Sequence, residues 1–389
     1  MFRIRIYDQI SDLGLSRFPT GVFEIAPGLA DADAWLLRSH KLHGEAVPDS
    51  LVAVARAGAG VNNIPVGEYS HRGIVVFNTP GANANAVKEL VAAALFLSSR
   101  NIVGGMNFVQ GLKGIDDPAE MAAKLEQEKK RFAGTEVAGK ILGVIGLGAI
   151  GAMVANMALE LGMSVAGYDP AISVEGAWRL SHRVQKVDSL EALLRLSDFV
   201  TVHVPAMEQT RHMLNSEAIA RMKPGARLLN FAREEIVEVG AVIAALDKGH
   251  LAAYVTDFPI PALLGRKDAL LLPHIGASTQ EAEENCAVMA VEQLVDFLVD
   301  GNISNSVNFP STHMARNGGY RITFSNDNVP RVLGSVLSVL ADHDINVSDM
   351  VNKSRGDVAY NIIDVENEPG PDILQAIARA DGVIRVRMV

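Results

Sequence analysis

Cysteine is almost absent. Cys286 is the only one in 389 residues, so no intrachain disulfide can form, and it reads as a small buried hydrophobe in a reducing compartment. Cations are in the minority: 35 lysines and arginines face 45 aspartates and glutamates, a formal net charge of −10. That balance argues against nucleic acid or an anionic membrane as a main partner. No run reaches the roughly 18 apolar residues that a membrane helix needs. No Cys/His cluster has zinc-ligand spacing, so no metal site is expected. The opening MFRIRIYDQI lacks a signal-peptide profile, which predicts a cytoplasmic protein. What the chain does have is apolar residues, 49% against 21% charged, enough to build cores for two or three domains at roughly 100–200 residues each.

In the first third, short apolar runs (FRIRIY, AWLLRS, LVAVARAG, GIVVFNTP) alternate with polar turns and helical stretches. That alternation implies a parallel sheet covered on both faces. Residues 83–100, NANAVKELVAAALFLSSR, have no Gly or Pro and predict a long, mostly buried helix. Residues 110–131 are polar and predict an exposed connection with a short helix. The alternation resumes over 139–275, with strands expected at KILGVIGLG, SVAGYDP, DFVTVHVP, ARLLNFA, LAAYVTDF and ALLLPHI. A helix over 278–301 opens on a Ser278/Glu281 capping-box pattern and ends at Gly301. The Asn/Ser/Gly-rich stretch 301–319 reads as a linker. From 320 onward the order is strand, helix, two strands about Gly356, helix, strand, which is ferredoxin-like. The fold class is therefore α/β: two doubly wound, Rossmann-like parallel-sheet domains followed by a ferredoxin-like βαββαβ domain. Expected boundaries are 1–98 with 284–312, then 99–283, then 318–389.

The glycines carry the first chemistry. GVIGLGAIGAMVA places G-x-G-x-x-G at Gly146, Gly148 and Gly151, after an apolar strand and opening an Ala/Met-rich helix, the context that a dinucleotide site requires. Gly146 permits the tight turn, Gly148 lets backbone approach a pyrophosphate, and Gly151 allows close helix–strand packing. The helix N-terminus favours the anion. Asp169 ends the next strand, 18 residues past Gly151 (169 − 151). A carboxylate there accepts from a ribose 2′-hydroxyl and repels a 2′-phosphate, which predicts NAD rather than NADP. Arg233 follows the strand LLNFA, at the sheet end where open parallel sheets hold ligands, and can clamp a carboxylate. His274 follows ALLLP. Alone it is either a packed core residue or a proton-transfer group; on the same edge as Arg233 and the nucleotide motif, it reads as acid/base.

At GVIGLGAIG, VHVP (202–205), LLNFAR and LLPHIGAST, in that order, the chain resembles the D-isomer-specific 2-hydroxyacid dehydrogenase family. RAGAGVNNI (56–64) and FNTPGANANAVKE (77–89) resemble that family's N-terminal substrate half, flavodoxin-like in fold, and the C-terminal unit resembles an ACT regulatory domain. RSHK (38–41), RAGAG, NTPGAN and the ACT unit resemble the members that oxidise 3-phospho-D-glycerate. The resemblance implies NAD-dependent oxidation of that substrate to 3-phosphooxypyruvate, the first step of phosphorylated serine synthesis, by a homodimer or homotetramer. It implies Arg233 as the carbonyl-polarising group and His274 as acid/base. It places Ala149 and Ile150 at the pyrophosphate, Asp169 at the ribose, and Phe231 and Ala232 at the nicotinamide, with Val204, Pro205, Gly276 and Ala277 also on the cofactor. Arg38 and Arg56 are implied at the phosphate, with Ser39, Ala57, Gly58, Ala59 and Asn83 also on the substrate. Lys129, Lys130 and Arg131 read as a solvated face that could extend the basic patch. In the ACT unit the resemblance implies Asn328 and Asn346 as ligands of an L-serine effector, with Asn326 replacing a frequent His and Arg331 standing where Gly is common.

Two departures bear on the chemistry. TDFPIPALL has no carboxylate between Asp257 and Asp268, where the family has a Glu that hydrogen-bonds the histidine. Asp257 then either contacts the nicotinamide amide, leaving His274 without an acidic partner, or turns to serve His274. Loss of the partner loosens the ring and moves the pH of optimal activity. Glu234 also replaces a Gly after the arginine, where it can crowd the loop or compete for the guanidinium. These changes keep open two other readings: another D-2-hydroxyacid dehydrogenase, including a 2-oxoglutarate reductase, and a non-catalytic NAD- or amino-acid-sensing regulator.

Overall fold

The computed structural model describes residues 1–389, the side chain of Glu175 excepted. Two units emerge, 1–83 with 280–389, and 84–279. Both are built on parallel sheets whose strands are apolar on both faces, as a sheet covered by helices on each side requires.

In the first unit five parallel strands lie in the order Phe23–Ala26, Phe2–Ile6, Ala34–Leu37, Ala53–Arg56, Val75–Phe77. In chain order this is 2-1-3-4-5, so the sheet reverses direction between its first and third strands, where open α/β sheets bind ligands. The strand Phe23–Ala26 escapes sequence reading because it is a four-residue edge strand carrying Glu24. Within AWLL, Ala34 and Leu36 join a core with Cys286, Ala290, Leu294 and Phe297 of the helix Gln280–Asp300. Trp35 and Leu37 join the opposite core with Tyr69 and Val76. Cys286 is buried, and burial pushes its thiol up.

The stretch 301–319 is more than a linker. Ile303, Phe309 and Met314 enter the core, and Asn308 docks on the sheet edge. Its Oδ1 accepts from Val76 N (2.9 Å) and its Nδ2 donates to Ile74 O (2.9 Å), so an asparagine amide takes the place of a neighbouring strand.

Beyond it, the strands Tyr320–Asp327, Val347–Arg355, Val358–Val365 and Val383–Met388 form an antiparallel sheet. The third-listed lies between the first two, and the last borders the first. Ile322, Phe324, Ile363 and Val365 pack on the helices Val332–Asp342 and Pro371–Ala378. The first of these helices begins only at Val332, past the turn NVPR, because Arg331 is left-handed, with φ +83. The opposite face of the sheet packs on the rest of this unit. Tyr360 and Ile362 join the core of the first sheet, and fully buried Arg321 pairs with Asp364 at 2.6 Å while donating to the carbonyls of Asp300, Met314 and Ala315.

The second unit holds seven parallel strands: Ala269–Leu271, Leu251–Thr256, Ala226–Asn230, Phe199–Val202, Ile141–Ile145, Ser164–Tyr168 and Gln185–Lys186. The six expected strands are present, and the seventh is a two-residue edge. The direction of winding reverses between Ile141–Ile145 and Phe199–Val202. Here the expected boundary at 98 moves: the helix Ala84–Ser99 belongs to this unit, not the first. Its Val87, Val91, Ala94 and Leu95 pack with Val154, Ala158, Leu229 and Val255, closing one face of the sheet. Residues 280–283 conversely fall in the first unit, because the long helix is continuous from Gln280. The charged connection contains the exposed helix Pro118–Glu128, opened by Asp117 accepting from Ala119 N. An additional helix, Ile102–Gln110, precedes it.

Candidate active site

The second unit gathers its chemistry at the carboxyl ends of its strands. Gly146 has φ +88, and a Cβ there would lie 2.6 Å from His203 O. At Gly151 a Cβ would lie 1.9 Å from Gly146 O, so turn and helix can close only on glycine. At Gly148 a Cβ would meet nothing within 4 Å. Gly148 is the N-cap of the helix Ala149–Glu160, and among the described residues no side chain caps it, so the helix end can receive an external anion. Asp169 accepts from Leu147 N (2.8 Å) and Ala171 N (2.9 Å), which fixes the carboxylate beside the glycine turn. His203 faces the same turn. Its Nε2 pairs with Thr201 Oγ1 at 2.9 Å, while Nδ1 is buried without a partner. Burial holds this imidazole down to about 3, neutral throughout the working range. An open helix end, a glycine cradle and an adjacent carboxylate fit a dinucleotide, which Gly148, Ala149, Ile150 and Asp169 could hold, and Val204 lies against Gly146.

Arg233 follows the strand Ala226–Asn230 and is half-buried. Buried Asn230 shapes its turn, donating from Nδ2 to Arg233 O (2.9 Å) and accepting from Ala232 N (3.1 Å). The next strand braces it: buried Thr256 donates from Oγ1 to Asn230 O (2.9 Å) and accepts from Phe258 N (3.1 Å). Sequence reading passed over both, because Asn and Thr at strand ends carry no distinctive pattern. Arg233 Nη1 donates to Ala232 O at 2.6 Å, and among the described residues no carboxylate forms an ion pair with it. The feared competition from Glu234 is thus not realised; Glu234 is exposed at the start of a short 3-10 turn.

His274 is exposed, which removes the packed-core reading, and it sits at φ +50. Its backbone N–H donates to Asp257 O (3.0 Å) and Leu272 O (3.1 Å). Asp257 does not serve the ring. Its buried carboxylate accepts from Gly276 N (3.0 Å) through Oδ2, its Oδ1 has no partner, and among the described residues no hydrogen bond joins it to the imidazole. Burial pushes the Asp257 carboxyl up, against the Gly276 amide and the nearby charges of His274 and Arg233. The ring instead meets Phe258 edge to face, centroids 4.9 Å apart at 61°. An aromatic contact of this kind orients an imidazole without changing its charge. Phe231 is buried and Ala232 half-buried on the same turn, while Ala277 is half-buried and Pro205 exposed on theirs.

In the first unit, Arg38 follows the strand Ala34–Leu37 beside the reversal point of the sheet, and Arg56 ends the neighbouring strand Ala53–Arg56. Asp8, two residues past the first strand, accepts through Oδ2 from the amides of Arg38 (2.8 Å), Ser39 (2.8 Å) and His40 (3.0 Å). Partial burial raises the Asp8 carboxyl, but the three amides outweigh it and hold it below the usual carboxylate range. Arg56 Nε donates to Arg38 O at 2.9 Å, and Asn63 Nδ2 donates to His40 O at 2.7 Å. Gly58 leaves room for the Arg56 guanidinium, 3.0 Å from where a Cβ would be. Ala57 N donates to Leu37 O, and Asn78 Nδ2 to Ala59 O. Asn83 presents a buried Oδ1 with no partner. Ser39 is exposed.

Other expected residues are not brought together. Lys129 and Arg131 pair with Glu126 and Glu128, so the basic run is largely neutralised. Asn328 binds the hairpin turn at Gly356 O and Asp357 O. Asn346 pairs with Glu366 at the other end of that hairpin, so one chain does not join them in a single site. Asn326 is buried and accepts from Asn361 Nδ2 at 2.7 Å. Among the described residues no three His, Cys, Asp or Glu side chains could hold a metal ion, and no helix is long and apolar enough to cross a membrane.

Residues 106–276 match the model of the D-isomer-specific 2-hydroxyacid dehydrogenase NAD-binding domain. The chain is 32% identical over 354 residues to a D-3-phosphoglycerate dehydrogenase of Escherichia coli K12, covering 88% of this chain and 82% of that protein. A protein of the same name from Haemophilus influenzae is 32% identical over 357 residues, covering 89% and 82%. Among solved structures, apo D-mandelate dehydrogenase of Rhodotorula graminis superposes with a TM-score of 0.66 at 28% identity, covering 81% of this chain and 99% of that one.

Proposed function

The chain belongs to the D-isomer-specific 2-hydroxyacid dehydrogenase family and is an NAD-dependent oxidoreductase, and from that premise we propose that it oxidises 3-phospho-D-glycerate to 3-phosphooxypyruvate, as the names of its relatives suggest. The observation that carries the substrate is the pair Arg38 and Arg56. Two guanidinium-bearing residues share one pinned backbone beside the reversal point of a parallel sheet, a setting for a dianion. In this reading Arg233 binds the substrate carboxylate and polarises the C–O bond that becomes the carbonyl as the carbon gives up its hydride. His274 accepts the hydroxyl proton on a ring nitrogen. NAD, when bound, supplies the hydride acceptor. Phe258 orients the imidazole where a carboxylate is missing, and Asp257 holds the Gly276 turn; its buried, unpartnered Oδ1 supports a role as acceptor for the nicotinamide amide.

The C-terminal sheet, with its strand–helix–strand–strand–helix–strand order, we read as a ferredoxin-like ACT module sensing an amino acid such as L-serine. Asn328 and Asn346 at opposite hairpin ends imply that an effector touching both engages two copies, in keeping with a cytoplasmic homodimer or homotetramer.

The test is NADH formation with 3-phosphoglycerate and with unphosphorylated D-2-hydroxyacids across about pH 6 to 10. The reading expects a marked preference for the phosphorylated substrate. Equal turnover of both classes overturns the phosphate role of Arg38 and Arg56. NAD binding without turnover at any pH overturns catalysis in favour of a sensor.

A further inference from the structure

Arg38 already holds an anion. Its Nη2 lies 2.7 Å from Oε1 of Glu283, with the two side chains 39% and 44% exposed. Glu283 stands in the first turn of the helix Gln280–Asp300, where the positive end of the helix dipole favours a carboxylate whether or not Arg38 is present. The backbone beneath Arg38 is immobilised by Asp8, Arg56 and Asn63, so only the guanidinium is free to change partner. Buried Cys286, three residues along the same helix from Glu283, lies within electrostatic reach of Arg38, Arg56 and Glu283. The Glu283 contact takes one donor of Nη2, the nitrogen that both two-point edges of a guanidinium use, so it narrows the ways a second anion can be clamped. A phosphate arriving at Arg38 therefore meets a fork with one donor already engaged and a carboxylate that repels it.

We propose that Glu283 is a specificity-determining residue, a built-in competitor for Arg38 that an anionic substrate tail must displace. Resting on the reading that Arg38 receives the substrate's phosphate, it predicts that Glu283 weakens phosphorylated substrates selectively and leaves substrates with a neutral tail alone. Exposed ion pairs are weak, worth up to about fivefold in an equilibrium constant, and repulsion between a carboxylate and a dianion adds a factor of similar order at low salt.

The experiment measures kcat and KM for 3-phosphoglycerate and for D-glycerate in the full-length wild type, E283Q, R38Q and R38Q/E283Q. E283Q is expected to lower the KM for 3-phosphoglycerate by about three- to tenfold at low ionic strength, the gain shrinking as salt rises. The KM for D-glycerate moves by less than about twofold, and the gain disappears once Arg38 is gone. An unchanged or higher KM for 3-phosphoglycerate in E283Q overturns the proposal, as does an equal fall for both substrates or a gain that persists in R38Q/E283Q. R38Q alone separates the two layers. If R38Q raises the KM for 3-phosphoglycerate while E283Q does nothing, the phosphate reading stands and the competitor role falls. If R38Q has no effect, both fall.

Discussion

Two alanine substitutions three positions apart separate what the glycine turn does for the fold from what it does for the cofactor. Gly151 packs on backbone: its Cβ would stand 1.9 Å from Gly146 O, against 3.4 Å for an ordinary contact, so the helix must retreat by about 1.5 Å (3.4 − 1.9). Carbonyl oxygen cannot rotate away as a side chain can. The overpacking cost of about 3 kcal/mol therefore exceeds the roughly 1 kcal/mol that Ala gains over Gly in a helix, leaving about 2 kcal/mol of net destabilisation. The same retreat carries the helix amides out of hydrogen-bond range of a pyrophosphate, and a charged hydrogen bond contributes about 1.5–3 kcal/mol, so NAD affinity falls by about ten- to a hundredfold. Gly148 is the contrast. Its φ of −66 suits alanine and its Cβ meets nothing within 4 Å. G148A should leave unfolding within about 0.5 kcal/mol of wild type, yet put a methyl where the cofactor's phosphates approach the backbone. Calorimetric NAD titration and urea unfolding of both variants read the two effects separately. Wild-type NAD affinity in G148A refutes the close backbone approach. Unchanged stability in G151A refutes the packing argument.

Two further outcomes follow from buried charge. His203 has a folded-state pKa held down to about 3 by burial. Its contribution to stability is therefore full above the unfolded value near 6.5 and is lost as pH falls toward 3. H203Q should flatten the stability profile between about pH 6.5 and 4.5 by up to about 2.7 kcal/mol, two pH units at 1.36 each; a urea-denaturation series with an unaltered slope refutes it. Arg321 and Asp364 are each 1% exposed, so R321M strands a carboxylate and should cost about 3–5 kcal/mol, with R321M/D364L recovering part of it. A loss below about 1 kcal/mol in chemical denaturation shows that the pair is dispensable.

Much of this site is written in short stretches of chain. The run ILGVIGLGAIG specifies strand, turn and helix within its own residues, because steric closeness at Gly146 and Gly151 is settled between neighbours. Six strands of the second sheet follow from apolar runs, and Arg233 and His274 from their places just past strand ends. Asp8, two residues past the first strand, escapes sequence reading, because an isolated aspartate does not advertise the three amides it collects. Other features have no local signature. The helix Ala84–Ser99 reads alike whichever sheet it covers, and only its packing against Val154 and Leu229 assigns it to the second unit. Asn308 reads as linker until it is found replacing a strand at Val76.

The sequence by itself determined the parallel sheets, the dinucleotide turn and the types of residue at the strand ends, because backbone geometry and apolar periodicity act over a few residues. Tertiary structure alone decided how those residues are used. It spends Asp257 on the Gly276 amide and leaves His274 to Phe258, and it sets Glu283 against Arg38 across 245 positions (283 − 38). Such partnerships depend on which backbones meet in space, and the hydrogen-bonding and charge of a side chain constrain what it can pair with but not what folding places beside it.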